Sequence, residues 1–219
     1  ARKEAILKSI KEQQKLTPEL EAKILGAETM AVLEDLYLPY RPKRKTRASV
    51  AKERGLEPLA ARIFDQKDFD VHSFATDFVD EEKEVANEEA ALAGARDIIA
   101  EWINEDAEIR KRIRVLFMKS GVISSKVLKS KEAEAAKYKD YFDWEEPLKK
   151  IPSHRLLAMR RGEKEMILSL DIFPDENDAN FLLEKKIITG QNANVAQVKL
   201  ALKDAYKRLL KPSMETETR

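Results

Sequence analysis

The sequence contains no cysteine, and this absence removes several kinds of chemistry at once. A chain without cysteine has no disulfide, no thiolate metal site and no cysteine nucleophile. Only two histidines occur, His72 and His154, and neither has the glutamate–histidine spacing of zinc-binding helices. The glycine-rich phosphate loop, the nucleophile elbow and the dinucleotide fingerprint are also missing. We therefore predict no catalytic residue, no metal and no cofactor, and we expect that the protein is not an enzyme.

The sequence also has no long apolar run and almost no net charge. No stretch approaches the roughly 18 apolar residues that a membrane span needs, and no signal-peptide pattern opens the chain. We therefore expect a soluble, cytoplasmic protein that does not bind membranes. Because 41 basic residues face 40 acidic ones, the net charge is only +1. Attraction for an anionic partner must then come from a local patch.

One segment provides such a patch. Between Arg41 and Arg54 the sequence has seven cations and a single acid, Glu53, which gives a local charge of +6. The cations are Arg41, Lys43, Arg44, Lys45, Arg47, Lys52 and Arg54. Pro39 and Pro42 each favour an extended backbone at the residue before them, so an exposed loop is predicted. Concentrated charge of this kind indicates an anionic partner.

Two short helical patterns follow this loop, one from Thr46 to Arg54 and one after Gly55. Two short helices joined by a glycine turn and preceded by a basic loop have the outline of a helix-turn-helix. From spacing alone, two ordinary bundle helices beside a solvated loop are the commoner arrangement. Further along, the helical stretch Ile109–Phe117 displays four cations. They could form a second anion-facing surface, but the polar face that any amphipathic helix needs is the favoured interpretation.

The charge reverses between Asp65 and Glu89, where ten acids face two lysines for a local net of −8. This acidic segment is not expected to touch a phosphate backbone. A domain boundary is predicted at its end. Residues 1–84 would then form a helical, helix-turn-helix-like region with the basic loop, and residues 85–219 a helical region with a small β-ribbon.

Helical periodicity covers most of the chain, and we predict a mainly α fold, an elongated multi-helix bundle. Gly94 interrupts the strongest helical pattern, which indicates that another helix crosses there. Val122–Lys129 and Met166–Phe173 resemble strands and should pair as an antiparallel ribbon. The last helix is expected to end at Pro212, followed by a polar tail that frays.

Three segments carry a resemblance to a known family. They are LYLPYRPKRKTRASVAKERGLEPLA, YFDWEEPLKKIPSHRLLAMRRGEKE and ALKDAYKRLLKPSMETETR. In this order they resemble the Tex family of bacterial transcription-accessory proteins, and the likeness spans nearly the whole chain. The resemblance implies a multi-domain nucleic-acid-binding scaffold related to a eukaryotic elongation factor. It also implies that this chain is an internal fragment without the family's OB-fold, so we expect exposed apolar surface on its first and last helices.

Three hypotheses for function follow. The first is a nucleic-acid-contacting helical scaffold of transcription, in which a cluster contacts phosphates of RNA or DNA without reading bases. That cluster comprises Arg41, Lys43, Arg44, Lys45 and Arg47. The second is a protein-interaction module that docks the transcription machinery or the downstream domains of the parent protein. The third, a hydrolytic enzyme, lacks a catalytic constellation. Internal salt bridges from the cluster to the acidic segment remain an open alternative to phosphate contact.

Overall fold

The computed structural model describes residues 1–129 and 135–219, and the contacts within it divide the chain into two compact units. The first unit comprises Ala1–Lys111 and Leu183–Ala205, and the second comprises Arg112–Leu182 and Tyr206–Arg219. The boundary predicted between residues 84 and 85 concerns independent folding, which contacts within one structure do not measure. It therefore stays a prediction.

The described residues form twelve α-helices and a three-stranded antiparallel sheet, which confirms the mainly α fold with a small sheet. The helices are α1 (Arg2–Glu12), α2 (Pro18–Leu25), α3 (Met30–Tyr37), α4 (Arg47–Glu53), α5 (Glu57–Phe64), α6 (Val71–Thr76), α7 (Glu88–Glu105), α8 (Ala107–Ser120), α9 (Ser153–Lys164), α10 (Glu176–Ile187), α11 (Val195–Asp204) and α12 (Lys211–Thr218). The strands are β1 (Val122–Val127), β2 (Asp143–Pro147) and β3 (Leu168–Phe173). Two 3-10 helices, Leu38–Tyr40 and Ala136–Tyr141, and a π-helical segment, Ala205–Leu210, complete the described elements.

Three helices at the start of the first unit share a core of their own. Ile6 and Ile10 of α1, Ile24 of α2 and Leu33 of α3 are all buried in one cluster. The two turns between these helices end in threonine caps of the ordinary kind, since Thr17 and Thr29 each accept a hydrogen bond from a backbone N–H three residues on. Local capping and one apolar face per helix therefore account for this part of the fold.

The helix α7 is the centre of the first unit, where it contacts α4, α5, α6 and α11. Asn87 caps it by accepting a hydrogen bond from the backbone N–H of Ala90 at 2.8 Å. Its buried residues lie on more than one side, because several helices surround it, and they are Ala91, Leu92, Ala95, Ile98, Ile99, Ala100, Glu101 and Ile103. One residue of this buried set is charged: Glu101, which contacts lysines of the basic segment.

Gly94 confirms the prediction that a helix crosses α7. A Cβ atom at this position would lie 2.3 Å from Leu56 Cδ1 and 3.4 Å from Ala51 Cβ. Ala51 belongs to α4, and Leu56 lies in the turn between α4 and α5. A small residue at this position therefore lets α4 and the Leu56 side chain pack closely on α7, and this contact positions the basic segment on the first unit.

The sheet of the second unit has the strand order β2-β1-β3. The predicted ribbon is confirmed, because β1 pairs with β3 in antiparallel register from Val122 opposite Phe173 to Val127 opposite Leu168. The prediction missed β2, which pairs with the other side of β1 from Val122 opposite Pro147 to Lys126 opposite Asp143. Its sequence, DWEEP, has no β-branched residue, so the strand depends on its neighbour rather than on its own propensity.

The end of the chain corrects a second prediction. Helical structure does not end at Pro212, because the π-helical segment leads directly into α12. Pro212 lies in the first turn of α12, where proline is tolerated. The tail is also ordered rather than frayed. Met214 is buried, Glu215 accepts from the backbone N–H of Ile172 at 3.2 Å, and Arg219 donates to the backbone carbonyl of Leu170.

The expected apolar surface at the chain ends is not found on α1 or α12. The exposed large hydrophobic residues in the described part of the chain are Leu25, Met30, Val32, Val79, Val115, Met118, Leu157, Met166, Phe181 and Leu200. Of these, only Leu200 of α11 lies on the last predicted helix, the one expected to end at Pro212, and none lies on the first helix, α1. That expectation is wrong for the first helix and rests on one residue for the last. None of the described helices is both long and apolar enough to cross a membrane.

Candidate nucleic-acid interface

The basic segment is a short open loop whose two ends are held firmly. At its start, the 3-10 helix Leu38–Tyr40 ends at Arg41, whose backbone is extended with φ −64° and ψ 130°. At its end, Thr46 and Ser49 form a reciprocal capping box that begins α4, with the backbone N–H of Ser49 donating to Thr46 Oγ1 at 3.0 Å. The extended backbone predicted before Pro42 is confirmed at Arg41, but the one predicted before Pro39 is wrong, because Leu38 is helical with φ −51° and ψ −43°.

Several cations of the segment are paired with acids of the first unit. Arg41 pairs with Glu34 of α3, and Arg54 Nη2 lies 2.7 Å from Glu84 Oε2. The ion pairs of the two lysines converge on one end of α7. Lys43 pairs with Glu105 and lies 3.4 Å from Glu101 Oε1, and Lys52 Nζ lies 3.1 Å from the same oxygen.

Glu101 is the residue that ties the segment to α7. It is buried, and besides the two lysines it accepts a hydrogen bond from Thr46 Oγ1 at 3.2 Å. Burial alone would raise the pKa of Glu101, but the hydrogen bond from Lys52 and the charges of Lys43 and Lys52 outweigh it and hold the pKa below its usual value. For Lys43, burial is the largest effect and lowers the pKa; together with weaker repulsion from Lys52 and Lys15 it outweighs the attraction of Glu101.

Three cations of the segment remain. Arg44, Lys45 and Arg47 are exposed, and none of them forms an ion pair with any residue in the ranges 1–129 and 135–219. Lys45 and Arg47 border a groove of about 610 Å³ between α4 and α7. On the side of α7 the groove is lined by the small residues Ala90, Ala93 and Gly94 and by one acid, Asp97. These three cations are therefore the part of the segment that is free to meet an external anion.

The five predicted site residues thus separate into two groups. Arg41 and Lys43 make internal salt bridges, and Arg44, Lys45 and Arg47 do not. The acids that pair with Arg41 and Lys43 lie on α3 and α7, outside the acidic segment that we had considered as their partner. Arg54 forms a salt bridge with Glu84 of that segment, and Arg54, with a smaller contribution from the charge of Lys45, lowers the pKa of Glu84. Phosphate contact by the five residues stays a prediction.

Sequence reasoning missed Glu101, although the sequence carries a sign of it. Glu101 and Glu105 are spaced one helical turn apart on α7, and Glu101 stands among buried apolar residues such as Ile98. An acid on the apolar face of a long helix indicates a buried cation partner, because an unpaired buried carboxylate is costly. The partner itself could not be identified, since it lies about fifty residues away in the chain.

The cations of α8 are also distributed differently from the polar face that we favoured. Arg110 is buried, and its Nε donates to Asp35 Oδ1 of α3 at 2.6 Å. Arg114 Nε lies 2.7 Å from Glu217 Oε2 of α12. Arg110 and Arg114 are therefore paired with acids of the chain itself, and a second anion-facing surface on α8 is not supported.

The helix that would read bases in a helix-turn-helix is α5, and its surface carries little for such a role. Of its residues Glu57, Pro58, Ala61 and Arg62 are exposed. The guanidinium of Arg62 stacks over the ring of Phe69, 4.9 Å from its centroid. The described residues hold no cluster of three or more histidines and carboxylates that would bind a metal ion. What this region offers is therefore positive charge beside a groove.

The charge of Glu101 can be tested by its pH dependence. Because its folded pKa is lowered, Glu101 stabilises the fold above the unfolded pKa of about 4.3, and this contribution is lost as the pH falls through the folded pKa. We expect Glu101→Gln to cost about 2 kcal/mol of unfolding free energy at pH 7. Urea denaturation from pH 7 to pH 3 should show the difference from wild type shrinking below about pH 5.

Glu53 supplies the control for this experiment. It is an exposed acid of α4, in the same segment, and it forms no ion pair within the described part of the chain. We expect Glu53→Gln to stay within about 0.5 kcal/mol of wild type at every pH. A cost of Glu101→Gln that did not change with pH would contradict the assigned charge.

Comparison with known proteins agrees with the three segments quoted above. Residues 66–210 match the family model described as Tex central region-like. The chain is 46% identical over 168 residues to Protein tex of Bordetella pertussis, covering 77% of this chain and 21% of that protein. It is 38% identical over 208 residues to the transcriptional accessory protein Tex of Neisseria gonorrhoeae, covering 94% of this chain and 27% of that protein.

A more distant relative is eukaryotic. The transcription elongation factor SPT6 homolog of Arabidopsis thaliana is 28% identical over 212 residues, covering 82% of this chain and 13% of that protein. The chain spans less than one third of the length of each of these relatives. Because the family model matches most of the chain and the bacterial relatives match in the same region, the chain belongs to the Tex family.

Proposed function

We propose that this chain is a helical scaffold segment of a transcription-accessory protein, and that it contacts nucleic-acid phosphates through Arg44, Lys45 and Arg47. The names of its relatives support the connection with transcription. The single observation that carries the contact proposal is that these three cations are exposed and form no ion pair within the described residues, while Arg41 and Lys43 are paired with acids. Lys45 and Arg47 also border a groove.

The contact is electrostatic and does not select a sequence. Arginine and lysine bind phosphate oxygens and displace counterions, and this supplies affinity that depends on salt rather than on bases. The exposed surface of α5 agrees with this, because its one cation, Arg62, stacks over Phe69 and it has no asparagine or glutamine to read base edges. Single-stranded RNA and duplex DNA are both suitable partners on these grounds.

The proposal predicts a change in salt dependence. We expect the triple variant Arg44→Ala, Lys45→Ala, Arg47→Ala to flatten the slope of log K against log salt by about 2 for single-stranded RNA and about 3 for duplex DNA. Fluorescence anisotropy with labelled oligonucleotides at several salt concentrations measures the slope. The thermal midpoint should change little, because none of the three side chains is paired within the described residues.

A matched triple variant controls for the loss of charge itself. Lys11, Lys23 and Lys203 are exposed cations elsewhere on the first unit, and the structure records no ion pair for them within its described ranges. Replacing these three with alanine removes the same charge and should leave the slope nearly unchanged. Equal slopes for the wild type and the loop variant would reject phosphate contact by the loop.

A second candidate function is docking of protein domains without nucleic acid. The observation that favours it is the internal pairing of Arg41, Lys43, Lys52 and Arg54, which offsets the charge of four of the seven cations with acids of the same unit. In that case the chain would bind neither RNA nor DNA in a salt-dependent way. The same anisotropy titrations separate the two candidates.

A further inference from the structure

The sheet of the second unit has two outer strands, and they differ in how their outer edges are finished. On β3 the backbone groups that point away from β1 are bonded by α12. Glu215 accepts from the N–H of Ile172, and Arg219 donates to the carbonyl of Leu170. A helix that covers an edge in this way prevents the edge from pairing with another strand.

The outer edge of β2 has no such cover in the described part of the chain. The N–H of Val127 donates to the carbonyl of Phe142, and the N–H of Leu148 donates to the carbonyl of Gly121. Because backbone groups alternate in direction along an antiparallel strand, the even-numbered residues of β2 face β1. The N–H and C=O groups of Asp143 and Glu145 therefore point outward, and no described residue bonds them.

Contacts on one face of β2 hold the strand in place. Trp144 and Glu146 lie on the half-buried face of β2. Arg155 of α9 stacks over the Trp144 ring, 4.9 Å from its centroid, and its Nη1 lies 2.6 Å from Glu146 Oε2. These contacts keep β2 extended without help on its outer edge, so the open edge is preorganised for another strand.

The charge on this edge indicates the kind of strand that it would accept. Asp143 and Glu145 are exposed and share one face of β2. Lys126 of β1 lies opposite Asp143, whereas Glu145 lies opposite the uncharged Ser124. A second copy of β2 would bring acids against acids, and like charges directly opposite each other are unfavourable. A strand with lysine or arginine at alternate positions would face them with opposite charge.

We propose that the outer edge of β2 is a docking site for an extended, cationic segment of a partner protein, which adds to the sheet as a fourth strand. Backbone hydrogen bonds to Asp143 and Glu145 supply the pairing, and their carboxylates select a partner with alternating cations. This site lies on the second unit and does not depend on the phosphate contacts proposed for the first.

The test uses the whole 219-residue chain. The probe is a synthetic eight-residue peptide of alternating lysine and valine, and the control is the same peptide with glutamate in place of lysine. We expect the lysine peptide to bind and to slow hydrogen exchange of the amides of Asp143 and Glu145, measured by NMR. The glutamate peptide should bind at least about tenfold more weakly because it meets two carboxylates.

Glu145→Pro sharpens the test, since proline removes an N–H that points away from β1 and leaves the pairing with β1 intact. We expect this variant to bind the lysine peptide at least about tenfold more weakly. Glu145→Gln keeps the N–H, so it should retain exchange protection while losing part of the affinity and its salt dependence. Circular dichroism confirms that each variant is folded, and Glu145→Gln alone still tests the charge if Glu145→Pro unfolds.

Three results would overturn the proposal. One is that the lysine peptide does not bind at millimolar concentration. Another is binding that leaves the exchange of the two amides unchanged, since that places the peptide elsewhere. The third is protection of the same amides by single-stranded RNA and not by the peptide, which would make the edge a nucleic-acid site.

Discussion

Replacing Asp35 with alanine is expected to lower the free energy of unfolding by about 3–5 kcal/mol. Asp35 and Arg110 form an ion pair in which the two side chains are only 5% and 6% exposed, with Nε 2.6 Å from Oδ1. Removing the carboxylate leaves the guanidinium buried with its closest anion gone. Urea denaturation followed by circular dichroism measures the loss.

A double-mutant cycle shows how much of this loss belongs to the pair. We expect Arg110→Ala to cost a similar amount, and the double variant to cost clearly less than the sum of the two. Glu34→Ala is the matched control, because Glu34 is the preceding residue of α3 and its salt bridges to Arg2 and Arg41 are partly exposed. It should cost about 1 kcal/mol or less. If Asp35→Ala cost no more than Glu34→Ala, the buried pair would not be important for stability.

Gln66→Ala is expected to cost about 3 kcal/mol. The side chain of Gln66 is buried and links two distant parts of the first unit, the end of α5 and the turn after α10. Its Nε2 donates to the carbonyl of Ile187 at 2.8 Å, and its Oε1 accepts from the backbone N–H of Thr189 at 2.9 Å and of Gly190 at 3.2 Å. Alanine removes all three bonds and leaves their backbone partners without them.

The side-chain hydrogen bonds of Gln66 belong to a wider network between the same two segments. Its backbone carbonyl accepts from Asn192 Nδ2 at 2.7 Å, and Asn194 Nδ2 bonds the carbonyls of Lys67 and Phe69. A Cβ at Gly190 would lie 2.7 Å from the carbonyl oxygen of Gln66, so the two segments are in close contact. Gln66 also borders a cavity of about 350 Å³ that Ile187 and Thr189 line, so water entering there after truncation would restore only part of the network.

Gln191 offers a control with the same chemistry. It is an exposed glutamine in the turn that Gln66 bonds, and the structure records no side-chain hydrogen bond for it among the described residues. Gln191→Ala should change the free energy of unfolding by less than about 0.5 kcal/mol. A similar small effect for Gln66→Ala would mean that the network is dispensable.

Helices and their ends were predictable from sequence, because they depend on neighbours in the chain. The helical pattern predicted from Thr46 to Arg54 is confirmed by α4, and the helix crossing predicted at Gly94 is confirmed by the contact of α4 with α7. The pairing of β1 with β3 was also predictable, since both strands have apolar and β-branched residues. Rules of this kind fail where a segment takes its structure from a distant partner, as β2 does from β1 and α12 does from β3.

The candidate site was predictable in its location but not in its composition. Counting cations locates the basic segment between Arg41 and Arg54, whatever the fold. Which of those cations are available depends on where the acids of α3 and α7 lie, and the sequence does not show that Glu101 faces Lys43 and Lys52. Ion pairs form between side chains that the fold brings together, not between segments of opposite average charge.

The sequence by itself determined the family, the mainly helical class, the positions of most helices and the site of concentrated positive charge. These features depend on local periodicity, on capping and on composition, which are properties of neighbouring residues. The tertiary structure alone decided that Asp35 is buried against Arg110, that Glu101 pairs with two lysines, and that no residue in the ranges 1–129 and 135–219 covers the outer edge of β2. The ion pairs of Asp35 and Glu101 join residues that are dozens of positions apart, and the state of the β2 edge depends on which elements pack beside it. Packing sets both the distance between two charges and their removal from water, so only the tertiary structure could decide these features.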